Sequence, residues 1–142
     1  MPSWKKLAFG GAAASSAFSE LGLLVLRVFA GLGMAFAHGL GKVPPESGFV
    51  DVVENLGFPS PTFFAWAAGF AELLGGLFLA AGFLTRLSAL TILTTMLVAA
   101  FGHLAGAGFA AQEMALLYAA AMLPFLFAGC GRVGVDQLFR QS

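Results

Sequence analysis

Charge is what this sequence has least of. Its 142 residues include seven Lys and Arg and seven Asp and Glu, only 10% of the chain, against 59% hydrophobic residues. An ordinary soluble domain carries about 25% charged residues, and a globule of this size leaves roughly a third of its unfolded surface in water. So few charges cannot cover that surface. With a mean hydropathy of +0.90, the composition excludes a soluble monomer and points to lipid as the solvent. It excludes a disordered chain for the same reason. Net charge is zero, and the chain has no basic run or stacking platform, which excludes nucleic acid as a partner. Cysteine is nearly absent too. Cys130 alone excludes an internal disulfide framework and any multi-cysteine zinc site. Walker A, HExxH, GxSxG, dinucleotide and haem-attachment signatures are missing, so redox chemistry here would need a cofactor or a partner subunit.

What the sequence has is long apolar runs. A membrane-spanning helix needs about 20 apolar residues, and four segments meet that length: residues 21–40, 62–84, 87–107 and 113–129. None alternates as a barrel strand would. The expected fold is an all-α transmembrane four-helix bundle. Thr85 and Arg86 are read as the connection between the second and third spans, which makes them an antiparallel hairpin. The long connection lies between the first two spans. Within it Phe49, Val52, Val53 and Leu56 fall at i, i+3, i+4 and i+7, with Asp51, Glu54 and Asn55 opposite. That is a short amphipathic helix, expected flat on the membrane interface, or else packed on the bundle as a loop helix.

Lys5, Lys6, Arg86, Arg132 and Arg140 fall on one side of the spans and Lys42 alone on the other. The positive-inside rule then places both termini in the cytoplasm and the protein in the inner (plasma) membrane. Residues 1–20 are read as a cytoplasmic tail. Lys5, Lys6 and AFGGAAASSAFS resemble a leader, but they lack a Leu-rich core and run straight into a better span.

Ionisable residues inside spans are costly, and each is a functional candidate. Arg27 falls about 9 Å and Glu72 about 18 Å from the cytoplasmic boundary at 1.5 Å per residue, a gap that an Arg side chain bridges in large part. An Arg27–Glu72 pair is expected, either as a structural lock or as part of a proton relay. His38 and His103 both fall about 25 Å from that boundary, with Lys42, Glu113 and Tyr118 close in depth. These residues could exchange protons with a redox ligand or simply line the interface. No closely spaced ligand motif supports a metal, and none is assigned. The Gly and Ala residues of the first two spans fit close helix packing. Pro124 should kink the fourth span.

Three stretches carry a resemblance: LLVLRVFAGLGMAFAHGLGKV with Arg27, Gly31, His38, Gly39 and Lys42; AELLGGLFLAAGFLTRLSAL with Glu72, Gly75, Gly76, Gly82, Thr85 and Arg86; and QEMALLYAAAMLPFLFAGCGRVGVD with Glu113, Gly129, Gly131, Arg132 and Asp136. The chain resembles the DoxX family of small four-span membrane proteins, with Cys130 where Pro is common. The resemblance implies a subunit of a redox membrane complex, with a quinone as the cofactor to expect. On that reading His38, His103, Glu113, Glu72 and Arg27 are the catalytic candidates, and His38, Lys42, His103 and Tyr118 the cofactor-binding ones. The partners implied are the bilayer and either a protein subunit or a second copy. The alternatives are a non-catalytic anchor for a partner enzyme and, third, a small-molecule transporter.

Overall fold

A computed structural model describes residues 17–140, Arg140 by its backbone. Lys5, Lys6 and the leader-like stretch lie outside the described residues. Residues 17–20, expected in the tail, instead form the first turn of a helix. The described chain is helical, with no strand among the described residues. Among the described residues four helices are long and apolar enough to cross a membrane: α1 (Ala17–Lys42), α3 (Pro61–Ala81), α4 (Thr85–His103) and α5 (Phe109–Ala128). The described residues add two short helices, α2 (Ser47–Asn55) before α3 and α6 (Asp136–Arg140) after α5.

Local chemistry sets the helix ends. Pro61 opens α3, and Gly82 at φ 69° closes it, a conformation that costs glycine no Cβ clash. The hairpin turn is therefore residues 82–84. Thr85 and Arg86, read from the sequence as the connection, are already in α4. At the far end the loop is 104–108, with Gly106 and Gly108 at positive φ. Gln112, expected in that loop, lies in α5, where its amide donates to the carbonyls of Ala100 (3.1 Å) and Leu104 (3.3 Å). Ala100 lies in, and Leu104 directly follows, a π-turn, Ala99–His103, that ends α4; a second π-turn, Met34–Gly39, lies in α1. Each widening carries a histidine. α5 runs unbroken from Phe109 to Ala128 through Pro124.

Packing follows the small residues. Helix α3 lies between α1 and α4, α4 packs on α5, and α1 meets α5 only sparsely. A Cβ on Gly31 would stand 2.6 Å from the Gly76 carbonyl oxygen, and a Cβ on Gly76 2.6 Å from that of Gly31. The α1–α3 crossing is thus backbone on backbone, as close packing in lipid favours. Gly76→Ala is expected to force the helices apart and to cost about 1–3 kcal/mol, as overpacking does, read as an earlier unfolding midpoint in detergent. The core beside this crossing holds Met34, Leu79, Ile92, Met96, Met122 and Phe125. Along α4 the hydroxyls of Thr91, Thr94 and Thr95 donate to carbonyls of the preceding turn, which satisfies them without water.

Helix α2 forms where the amphipathic spacing predicts it. Val53 is buried, Phe49, Val52 and Leu56 are half-buried, and Asp51, Glu54 and Asn55 are exposed. Its apolar face rests on protein: α2 packs on α3, and Leu56 reaches Gly102 of α4.

Candidate functional site

The buried charges separate into two groups, one on each side of the Gly31–Gly76 crossing. Arg27 lies one turn from Gly31 toward the N-terminal end of α1. Glu72 lies one turn from Gly76 toward the N-terminal end of α3. Because the helices are antiparallel, these are opposite directions, about 12 Å apart along the axes. Cα–Cβ bonds tilt toward a helix's own N-terminus, so the two side chains also diverge. The expected Arg27–Glu72 pair is not formed.

Glu72 is paired with Lys42 instead. The Lys42 Nζ lies 2.7 Å from both carboxylate oxygens, with the Glu72 side chain 3% exposed and that of Lys42 29%. The same tilt rule explains the match, since Lys42 at the end of α1 leans back down the helix while Glu72 leans up. Two glycines bring the backbones near enough. A Cβ on Gly69 would lie 2.7 Å from the Lys42 carbonyl oxygen, and one on Gly39 would strike the Leu73 backbone. Phe49 of α2 covers the ammonium, with Nζ 5.2 Å from the ring centroid, a distance at which the ring face attracts a cation.

Arg27, 2% exposed, reaches the other end of the bundle and donates from Nη1 to the Cys130 carbonyl. Its Nε has no partner among the described residues. The guanidinium lies between Gly82 and Gly134, where a Cβ would come within 2.9 and 3.1 Å of it. Asp136 is near enough to act on it through its charge. The Asp136 carboxylate also accepts the backbone N–H groups of Leu84 (2.7 Å) and Thr85 (3.0 Å), which caps α4. The segment is held further by Val135 N–H to Ala81 O, Asp136 N–H to Gly82 O and Arg86 Nη2 to the Phe127 carbonyl (3.0 Å). Asp136 escaped the reading of the sequence by charge and depth because it caps a helix 51 residues away, and no local pattern signals that.

The remaining candidates separate. His38, half-buried in the α1 π-turn, presents its ring to Tyr118 of α5, with centroids 5.3 Å apart and planes at 80°. The Tyr118 hydroxyl sits against Gly33, where a Cβ would come within 2.6 Å. Among the described residues neither the imidazole nor this hydroxyl has a hydrogen-bond partner. His103 and Glu113 are exposed. Depth alone brought His38, Lys42, His103 and Glu113 together; the structure pairs the first with Tyr118 and the second with Glu72, and leaves the other two exposed. Among the described residues no three His, Cys, Asp or Glu side chains cluster as metal ligands.

The arrangement is therefore a satisfied ion pair beside an unsatisfied polar pair, His38 and Tyr118, in the sparse seam between α1 and α5. An imidazole and a phenol of this kind can donate to, and exchange protons with, a polar headgroup entering from the bilayer.

A family model described as DoxX matches residues 22–105. A relative from Bacillus subtilis (strain 168) named "Putative oxidoreductase CatD" is 34% identical over 78 residues, covering 55% of this chain and 56% of the relative. The chain thus spans little more than half the length of that protein. No solved structure matches.

Proposed function

The chain belongs to the DoxX family of multi-pass membrane proteins, and from that premise we propose that it is the membrane subunit of a redox complex that presents a quinone headgroup to His38 and Tyr118. The observation that carries this reading is the pair itself: two half-buried polar groups without hydrogen-bond partners among the described residues, facing each other across the sparse seam between α1 and α5. The name of the Bacillus relative supports a redox role. Reducing a quinone takes two electrons and two protons. The electrons would come from a donor subunit, since the chain carries no redox signature of its own; His38, in edge contact with Tyr118, would hand a proton to one quinone oxygen to which the Tyr118 hydroxyl also donates, and a second proton, drawn from water, would go to the other oxygen. Lys42 and Glu72 line the approach from α1 and α3, and His103 and Glu113 exchange protons with water at the same end.

The proposed topology places the protein in the inner membrane with both termini in the cytoplasm, following Arg86 and Arg132 on one side against Lys42 on the other. Helix α2 then lies at the outer interface above the ion pair, its exposed acidic face toward water.

Protein purified from its own membrane is expected to carry extractable quinone near one equivalent, and His38→Ala to lose at least nine-tenths of it while keeping its helix content. Tyr118→Phe, which removes only the hydroxyl, is expected to lose severalfold less. A wild-type protein without quinone, or His38→Ala with undiminished quinone, overturns the reading. An enzyme that co-purifies equally with wild type and His38→Ala then identifies the chain as an anchor.

A further inference from the structure

The seam between α1 and α5 opens at the end of the bundle opposite His38, into a cleft of about 380 Å³ lined by Glu20, Leu21 and Leu24 of α1, Phe125 and Ala128 of α5, and Arg132. Small-molecule sites span roughly 300–1,000 Å³. Phe125 is buried beneath it, while Leu21 and Ala128 are exposed at its rim, on the face that meets lipid in a four-span protein. The walls are apolar and the mouth is not.

The mouth carries one charge of each sign. Glu20 is held in place, its Oε2 accepting the backbone N–H of Arg132 at 3.2 Å. Gly131, at φ 74°, lets the turn come this close, since a Cβ there would stand 3.0 Å from the same oxygen. The Arg132 guanidinium is exposed and has no polar partner among the described residues. Acid and base therefore share the mouth without forming an ion pair with each other.

We propose that this cleft binds one phospholipid of the ethanolamine class. An acyl chain lies along Leu21, Leu24, Phe125 and Ala128, the phosphate meets the Arg132 guanidinium, and the ammonium donates to Glu20. Charge complementarity selects the headgroup. A guanidinium is well shaped for phosphate, and a fixed carboxylate suits an ammonium that carries N–H donors. A choline headgroup has no N–H to donate, and an anionic headgroup without an amine leaves Glu20 facing negative charge. The site lies at the other end of the seam from His38, so it does not rest on the quinone reading.

The test is intact-mass measurement of the full-length protein in mild detergent, incubated in parallel with phosphatidylethanolamine, phosphatidylcholine and phosphatidylglycerol. One ethanolamine lipid per chain is expected, at least tenfold more occupied than either alternative. Arg132→Gln and Glu20→Gln are each expected to lower that occupancy at least fivefold, and Ala128→Trp to abolish it by filling the cleft. Arg132 is exposed, so its variant decides the matter even where Ala128→Trp perturbs the bundle. Equal adducts of all three lipids, a preference for phosphatidylglycerol, or occupancy unchanged in Arg132→Gln overturns the proposal. Quinone content in Arg132→Gln is expected to match wild type, which separates this test from that of the redox reading.

Discussion

Lys42→Met is expected to destabilise the bundle by about 3–5 kcal/mol, the cost of leaving a buried charge without its partner. Glu72 is 3% exposed and has no water to turn to, so the variant must either bury an uncompensated carboxylate or give up its charge. The reverse change is expected to be milder. In Glu72→Gln the amide keeps one hydrogen bond to the ammonium, and Lys42, 29% exposed, can lift its head toward the nearby helix end. A loss of about 1–2 kcal/mol is expected there, in the range of a weakened hydrogen bond. The double variant Lys42→Met/Glu72→Met is expected to recover most of what Lys42→Met loses, because apolar residues of similar volume often replace a buried ion pair at little cost. Unfolding midpoints followed by circular dichroism in one detergent, with Glu72→Met measured as the second single variant, give the full cycle. Equal losses in both single variants and their simple sum in the double variant would mean that the contact is incidental, since coupled neighbours do not add.

The four spans were legible because hydropathy over about 20 residues is a strong signal, and the α1–α3 crossing was foreshadowed by glycine and alanine in both helices. The short helix was legible from the spacing of Phe49, Val52, Val53 and Leu56. For the candidate residues the sequence offered depth, and not which of them meet. Counting depth places a residue along the membrane normal but not around the helix, so His38 and His103 looked like neighbours although they face different surroundings. The mispairing of Arg27 and Glu72 had a different origin. Both side chains were treated as free to reach across a gap, whereas the tilt of the Cα–Cβ bond sends them to opposite ends; applied to the sequence, that rule favours Lys42 as the partner of Glu72. The π-turns at His38 and His103 left no sequence signal. Nor did the cap at Leu84 and Thr85, because Asp136 lies 52 and 51 residues away in the sequence.

Arg27→Ala is expected to be comparably damaging, about 3–5 kcal/mol, as for breaking a buried charge network from one side. Three things are lost together. The Cys130 carbonyl loses its donor, Asp136 loses a nearby cation, and the space between Gly82 and Gly134 is left unfilled. Arg27→Lys is expected to fall between Ala and wild type, because a shorter point charge cannot reproduce a planar guanidinium held between two glycines. Asp136→Ala isolates the capping part: two N–H groups at the start of α4 lose their acceptor, at about 0.5–2 kcal/mol by analogy with helix N-caps. The two sites share one network, so the double variant is expected to lose less than the sum of its parts. A local readout distinguishes this from general loosening. If Arg27 and Asp136 together fasten the segment after α5, limited proteolysis of Asp136→Ala in detergent should cut near residues 130–136 well before α4 or α5 is attacked, since local opening needs less free energy than global unfolding. Cleavage at the same rate as wild type would mean that the backbone bonds from Val135 and Asp136 to Ala81 and Gly82 hold the segment by themselves. The charge of Arg27 would then serve only its own burial. The expected result gives that charge a second role: it fastens the segment whose Asp136 starts α4, so that a residue in the first span helps fix the hairpin between the second and third.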